Sequence, residues 1–203
     1  MTLGRVSRHL GYSLLGALIV VAFAQPRTAA QSHDSHVMSA PHGPETPEQK
    51  ARTNAFVQLV RDATRRFLDP EVAKAEGYLP QFGCVTGSSE GVMGVHFVNA
   101  PLVFDKELDP YHPELLVYEP LPNNRFQLVA ADYLIPSADW NGNPKNAGPP
   151  ILLGQLFHLF EAPNRFGLPE FFTLHVWAWK DNPQGTFANW NPNVSCDAYN
   201  PQS

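Results

Sequence analysis

Residues 171–179, Phe171-Phe172-Thr173-Leu174-His175-Val176-Trp177-Ala178-Trp179, decide the fold class. The stretch is rich in aromatic and β-branched residues, free of Gly and Pro, and reads as a β-strand. Period-two alternation puts Phe171, Thr173, His175, Trp177 and Trp179 on one face and Phe172, Leu174, Val176 and Ala178 on the other. The second set is a plain core face, suited to packing under a helix. The first is aromatic with one imidazole in its middle, which reads as the wall of a pocket. Phe171, Trp177 and Trp179 are therefore candidates for holding a small apolar or aromatic ligand.

Upstream, four more stretches read as strands: 92–98, 115–119, 126–135 and 151–160, separated by Pro- and Gly-rich turns such as 136–150. The helical signal precedes them all. Thr46-Pro47-Glu48-Gln49 is a helix start, with Thr46 as N-cap and Gln49 closing a capping box. Ala55, Phe56, Leu59, Val60, Ala63 and Phe67 then recur at helical spacing through about Leu68. Asp69-Pro70 restarts a short helix that Gly77 ends. Helices first and strands afterwards predict an α+β domain over residues 46–203, with an N-terminal helix packed on a curved antiparallel sheet. No helices alternate with the strands, which argues against a doubly wound sheet.

The two cysteines, Cys84 and Cys196, bracket most of the strand region. In an oxidising compartment such a pair reads as a single disulfide. The N-terminus points to that compartment. Arg5, Arg8 and His9 precede an apolar run over residues 11–24 that ends in Ala22-Phe23-Ala24, which reads as a cleavable signal peptide over 1–24. The run is shorter than the roughly 20 residues a spanning helix needs. Periplasmic or secreted location follows, with no membrane association after cleavage. Residues 25–45 are small and polar without periodicity, and read as a disordered linker. His33, His36 and His42 fall within it; a solvated tail is the plainer reading of them than metal capture. Residues 1–24 hold two of the 14 basic residues and none of the 19 acidic ones, leaving 12 against 19, a balance of −7 with His neutral. That excludes the basic surface that nucleic-acid binding needs.

Three histidines sit inside apolar strands: His96 in Met93-Gly94-Val95-His96-Phe97-Val98, His158 in Leu156-Phe157-His158-Leu159-Phe160, and His175. A buried imidazole needs partners for its ring nitrogens, and three from separate strands can converge on one divalent ion of zinc, iron or copper. Glu119 is the carboxylate best placed to act as fourth ligand or general base, ahead of Glu161 and Glu114. No H-x-H, H-E-x-x-H or C-x-x-C spacing accompanies them. Haem with Met93 or His96 as axial ligand is a lesser variant, and C-x-x-C-H attachment is absent. Gly87-Ser88-Ser89-Glu90-Gly91 matches G-x-S-x-G, but a strand follows where a nucleophile elbow needs a helix, so it reads as a loop. Asp132 and Asp139 form a possible carboxylate pair, weakened by the turn-rich setting of Asp139. The Asn-Pro-rich run from Trp177 to Cys196 reads as an ordered strap closing the sheet.

Met93-Gly94-Val95-His96, Tyr118-Glu119-Pro120, Gln155-Leu156-Phe157-His158 and the run from Leu174 to Cys196 resemble a group of small exported or stand-alone bacterial proteins of unassigned function. The resemblance spans roughly residues 70–196. It implies a shared domain and brings no activity or catalytic residues.

Two functional readings follow. The first is an exported metal-binding protein with a three-histidine pocket, enzymatic or metal-carrying. The second is a non-enzymatic module holding a small ligand against its aromatic residues. Converging imidazoles separate the first from the second.

Overall fold

A computed structural model describes residues 45–87 and 89–200. The stretches read above as signal peptide and linker, apart from Glu45 and including His33, His36 and His42, lie outside the described residues, as does Ser88.

Helix α1 runs Pro47–Thr64, opened by the capping box expected of it: Gln49 N–H donates to Thr46 Oγ1 at 3.2 Å and Thr46 N–H to Gln49 Oε1 at 2.7 Å. A 3₁₀ turn, Arg65–Leu68, and a short helix α2, Pro70–Ala75, follow. The strands then come as β1 Leu79–Thr86, β2 Val92–Val98, β3 Leu115–Leu121 and β4 Arg125–Pro136, with a single helical turn α3, Ala100–Val103, between β2 and β3. A second short turn, α4 Ser137–Asn141, leads to β5 Ile151–Leu152, β6 Gln155–Leu156, β7 His158–Phe160 and β8 Phe171–Val176.

Six of these strands form one curled antiparallel sheet in the order β1-β2-β3-β4-β8-β7, a half-barrel. Bulges at Gln81/Cys84 and at Val117/Tyr118 interrupt the ladders, and a bulge locally increases twist. One face is the main core. Phe56 and Val60 of α1 pack there on Ala131, Tyr133 and Ile135 of β4 and on Phe172, Leu174 and Val176 of β8. Phe67, Ala73 and Tyr78 continue that layer over Val95, Phe97, Leu116 and Tyr118. The Phe172/Leu174/Val176 face predicted to meet the helix does so.

Alternation fails at its far end. Strand β8 stops at Val176, and Ala178 N–H turns back to Val176 C=O at 2.8 Å. Trp179 thereby crosses to the helix side, where its indole N–H donates to Thr64 Oγ1 at 3.0 Å. It is half-buried and packs against the core, and is not the pocket wall expected. Residues 151–160 also depart from a single strand. Leu153 and Gly154 both take positive φ and fold the stretch into the β5–β6 hairpin before β7 begins. Strand β1 escaped the pattern altogether, because Pro80, Gly83 and the bulge leave no alternation to read.

The second face of the sheet is crossed by the strap. Asn191 bridges to Val92 through paired backbone bonds of 3.2 and 3.0 Å, and Gly91 has no room for a Cβ beneath it. The Cys84–Cys196 disulfide, with Cα atoms 5.8 Å apart, ties the strap's end to β1. No described helix is long and apolar enough to cross a membrane.

Candidate metal centre

The strap side of the sheet carries the chemistry. Cross-strand register sets Asp132 of β4 directly opposite His175 of β8. His96 comes from β2, two strands further along. One ligand atom from each of His96, Asp132 and His175 lies within 4.8 Å of the others, and all three residues are buried. The two Nε2 atoms are 3.4 Å apart, with the rings edge to face at 86°. That separation is longer than a good N–H hydrogen bond. It matches the edge of a tetrahedron with metal–nitrogen bonds of about 2.1 Å, about 3.4 Å long.

The remaining ring nitrogens are exceptional. His96 Nδ1 and His175 Nδ1 are buried side-chain atoms with no hydrogen-bond partner, and Asn189 Oδ1 is a third. Asn189 lies on the His175 side and pulls its proton affinity upward, yet neither atom reaches hydrogen-bond geometry, so both remain unpartnered. Trp177 stacks behind His175, 6.1 Å between ring centroids at 18°, and its own indole N–H donates to Ala188 C=O. It braces the His175 ring and is not among the residues that line the cavity over His96 and His175.

Burial controls protonation here. It pushes His175 down to about 3, helped by repulsion from His158 and opposed by Asn189. It pushes His96 down to about 4, helped by His175 and opposed by Asp132. Both rings are neutral near pH 7, the form that binds a metal. Burial raises Asp132 to about 6, opposed by His96, by the Thr173 hydroxyl donating to Oδ1 at 2.5 Å and by the Leu174 N–H. With His175 neutral, the 3.6 Å approach of its Nδ1 to Asp132 Oδ1 is proximity without an ion pair.

The group opens into a cavity of about 30 Å³, room for about two waters. Thr173 shares its polar floor, and Phe82, Phe160, Phe166, Phe171 and Met93 are among its apolar walls. Phe171 is thus the one aromatic of the predicted trio that faces it. A cavity this small admits no porphyrin, which removes the haem variant.

Two expected residues stand elsewhere. His158, on β7 opposite Thr173, is outside the ligand-distance group. Its ring is hydrogen-bonded to the Phe187 backbone, and burial lowers its pKa. Its electrostatic influence lowers the proton affinity of Asp132 and of His175. Glu119 points to the strap: it pairs with Lys180 and accepts the Ser195 N–H at 2.9 Å. It is engaged in holding the strap down. Asp139 pairs with Lys106 at 2.9 Å and has no part in the site. Asp132 is the member of the group that sequence pattern undervalues. Its cue was a charged residue inside the apolar stretch Leu128-Val129-Ala130-Ala131-Asp132-Tyr133, where a carboxylate needs a reason to be buried. Compared with models of protein families, with curated proteins and with solved structures, the chain finds no match in any of the three.

Proposed function

We propose that the chain is an exported mononuclear metal protein whose ion sits between His96, His175 and Asp132. The observation that carries this reading is the 3.4 Å Nε2–Nε2 pair beside a buried carboxylate, with both Nδ1 atoms unpartnered. An ion on the two Nε2 atoms would leave both protons on Nδ1, and for the His175 ring Asp132 Oδ1, 3.6 Å from Nδ1, and the Asn189 side chain are the acceptors at hand, the usual outer support of a ligating imidazole. Two imidazoles and one carboxylate suit a divalent zinc or iron ion and leave coordination positions open. Those positions face the small apolar cavity, the arrangement of a metal-dependent enzyme acting on a small molecule rather than a closed structural site. The disulfide suits an oxidising compartment, which supports the export part of the reading.

The test is metal stoichiometry. The full chain, stripped with chelator and dialysed against zinc or against anaerobic iron(II), should hold one ion by elemental analysis. Bound metal should raise its melting temperature by mass action. His175→Ala and Asp132→Asn should each lose most of the metal while keeping a folded circular dichroism spectrum. Stoichiometry near zero in the folded wild-type chain for both metals overturns the reading.

A further inference from the structure

Phe82 and Phe166 line two cavities at once. One is the small cavity over His96 and His175. The other is an outer cavity of about 210 Å³, whose remaining walls are Cys84, Val85 and Arg165. The two rings meet edge to face, centroids 5.5 Å apart, so they form the partition between the outer space and the inner one.

Both are held there by construction. Phe82 has φ +63°, a left-handed conformation that bulky residues rarely adopt, and its side chain is 46% exposed. Strain of this kind persists where the surroundings enforce it and clusters at ligand clamps. An exposed phenyl on a strained backbone does little for stability. Phe166 belongs to a loop shaped by one residue. The Asn164 carboxamide accepts from Phe166 N–H and Leu168 N–H, each at 3.2 Å, and donates to Glu161 C=O and Leu168 C=O.

The same loop places an exposed cation, Arg165, on the wall of the outer cavity. The Arg165 guanidinium lies 5.7 Å from the Trp190 ring centroid and makes no ion pair with any described residue. A guanidinium fork held over an aromatic face is a receptor for a planar anion. One cation beside two phenyl rings matches one negative charge on an apolar body. A phosphate monoester would call for more donors than this wall offers.

We propose that the outer cavity binds a small organic acid, its carboxylate on Arg165 and its apolar body against the Phe82–Phe166 partition, on the far side of which lies the candidate metal centre. That the acid is a substrate rests on the metal reading; that it binds does not.

The experiment titrates hexanoate and its uncharged counterpart hexanamide into the full chain, metal-free and zinc-loaded, by calorimetry. Hexanoate should bind the metal-free chain at least about tenfold more tightly than hexanamide, a difference of about 1.4 kcal/mol. Arg165→Gln should bring the two ligands level. Phe82→Gly, which relieves the backbone, should weaken both about tenfold without lowering the melting temperature. Equal binding of acid and amide to the wild-type chain, absence of binding by either, or an unchanged preference in Arg165→Gln overturns the proposal. Hexanoate binding that depends on Arg165 in a chain that takes up no zinc leaves the acid site standing and removes the metal reading. Zinc uptake without hexanoate binding does the reverse.

Discussion

His96 and His175 lie on strands that are not neighbours, yet their Nε2 atoms stand 3.4 Å apart. Strands β3 and β4 run between them. In a flat sheet three strand spacings of about 4.8 Å would separate the two backbones by about 14 Å, and upright side chains would not meet. The curl of the half-barrel closes that distance on the strap side, and small residues, Ala130 and Val117, line the sheet between them. Gly94, two residues before His96, allows the close fit: at φ +111° a Cβ there would stand 2.6 Å from Tyr118 C=O.

Asn189 should act as a positioning residue for His175. Its buried Oδ1 has no partner, and its side chain raises the proton affinity of the His175 ring. Asn189→Leu should lower zinc affinity about ten- to hundredfold, measured by competition with a chromophoric chelator. Asn189→Asp, which keeps an acceptor oxygen, should retain most of it. The nitrogen chemical shifts of His175 report the tautomer directly, and should show Nδ1–H in the wild-type chain and a mixture in Asn189→Leu. Wild-type affinity in the leucine variant would remove Asn189 from the site.

Glu119 bonds to the strap and is not part of the His96–Asp132–His175 group. Its carboxylate is shared between Lys180 and the Ser195 N–H, and the Lys180 side chain is only 26% exposed. Glu119→Ala should cost about 2 kcal/mol in denaturant unfolding, less than a fully buried pair because Lys180 reaches water. Its zinc stoichiometry should stay at one. Loss of metal as complete as in His175→Ala would make Glu119 a ligand after all.

The parts of this molecule that local pattern specifies were legible in the chain. Capping chemistry marked α1, apolar runs separated by Pro- and Gly-rich turns marked β2, β3 and β4, alternation marked the two faces of β8, and cysteine pairing marked the disulfide. What local pattern does not carry is curvature. Which strands approach across the sheet depends on the bulges at Gln81/Cys84 and Val117/Tyr118, and without that curl Asp132 is only a stray charge in an apolar strand. His158 and His175 read alike in sequence; they part because β7 is an edge strand whose histidine finds the Phe187 backbone before it finds an ion. Trp179 shows the same limit. Alternation assigned its face correctly only as long as the strand lasted, and the strand ends at Val176.

The disulfide should couple stability to the site. It spans 112 residues, and closing so long a loop stabilises by about 4–5 kcal/mol in the chain-entropy model. It also anchors the strap that presents Asn189 and braces Trp177 through Ala188. Cys84→Ala/Cys196→Ala should therefore unfold at markedly lower denaturant and, while still folded, bind zinc more weakly than the oxidised wild type. A folded double variant with unchanged zinc affinity would show that the strap holds without its covalent tie.

Glu114 gives the chain a pH dependence of unusual sign. Its carboxyl is 1% exposed and accepts the Leu134 N–H at 3.0 Å. Burial pushes it up to about 9, helped by the charges of Asp132 and Asp105 and opposed by hydrogen bonds from its own N–H and that of Leu134. From its ordinary value near 4.5 up to about 9, the folded chain keeps a proton that the unfolded chain has released. Stability from this group is therefore complete below about pH 4.5 and declines as pH rises through that window, by up to about 1.4 kcal/mol per pH unit. Glu114→Gln keeps an acceptor for Leu134 and cannot ionise, and every other titrating group is common to both chains. The unfolding free energy of the glutamine variant should thus gain on the wild type by about 1 kcal/mol per unit between about pH 6 and pH 8.5. Parallel stability curves across that range would mean that Glu114 ionises like an exposed carboxylate, and that water reaches it behind β3.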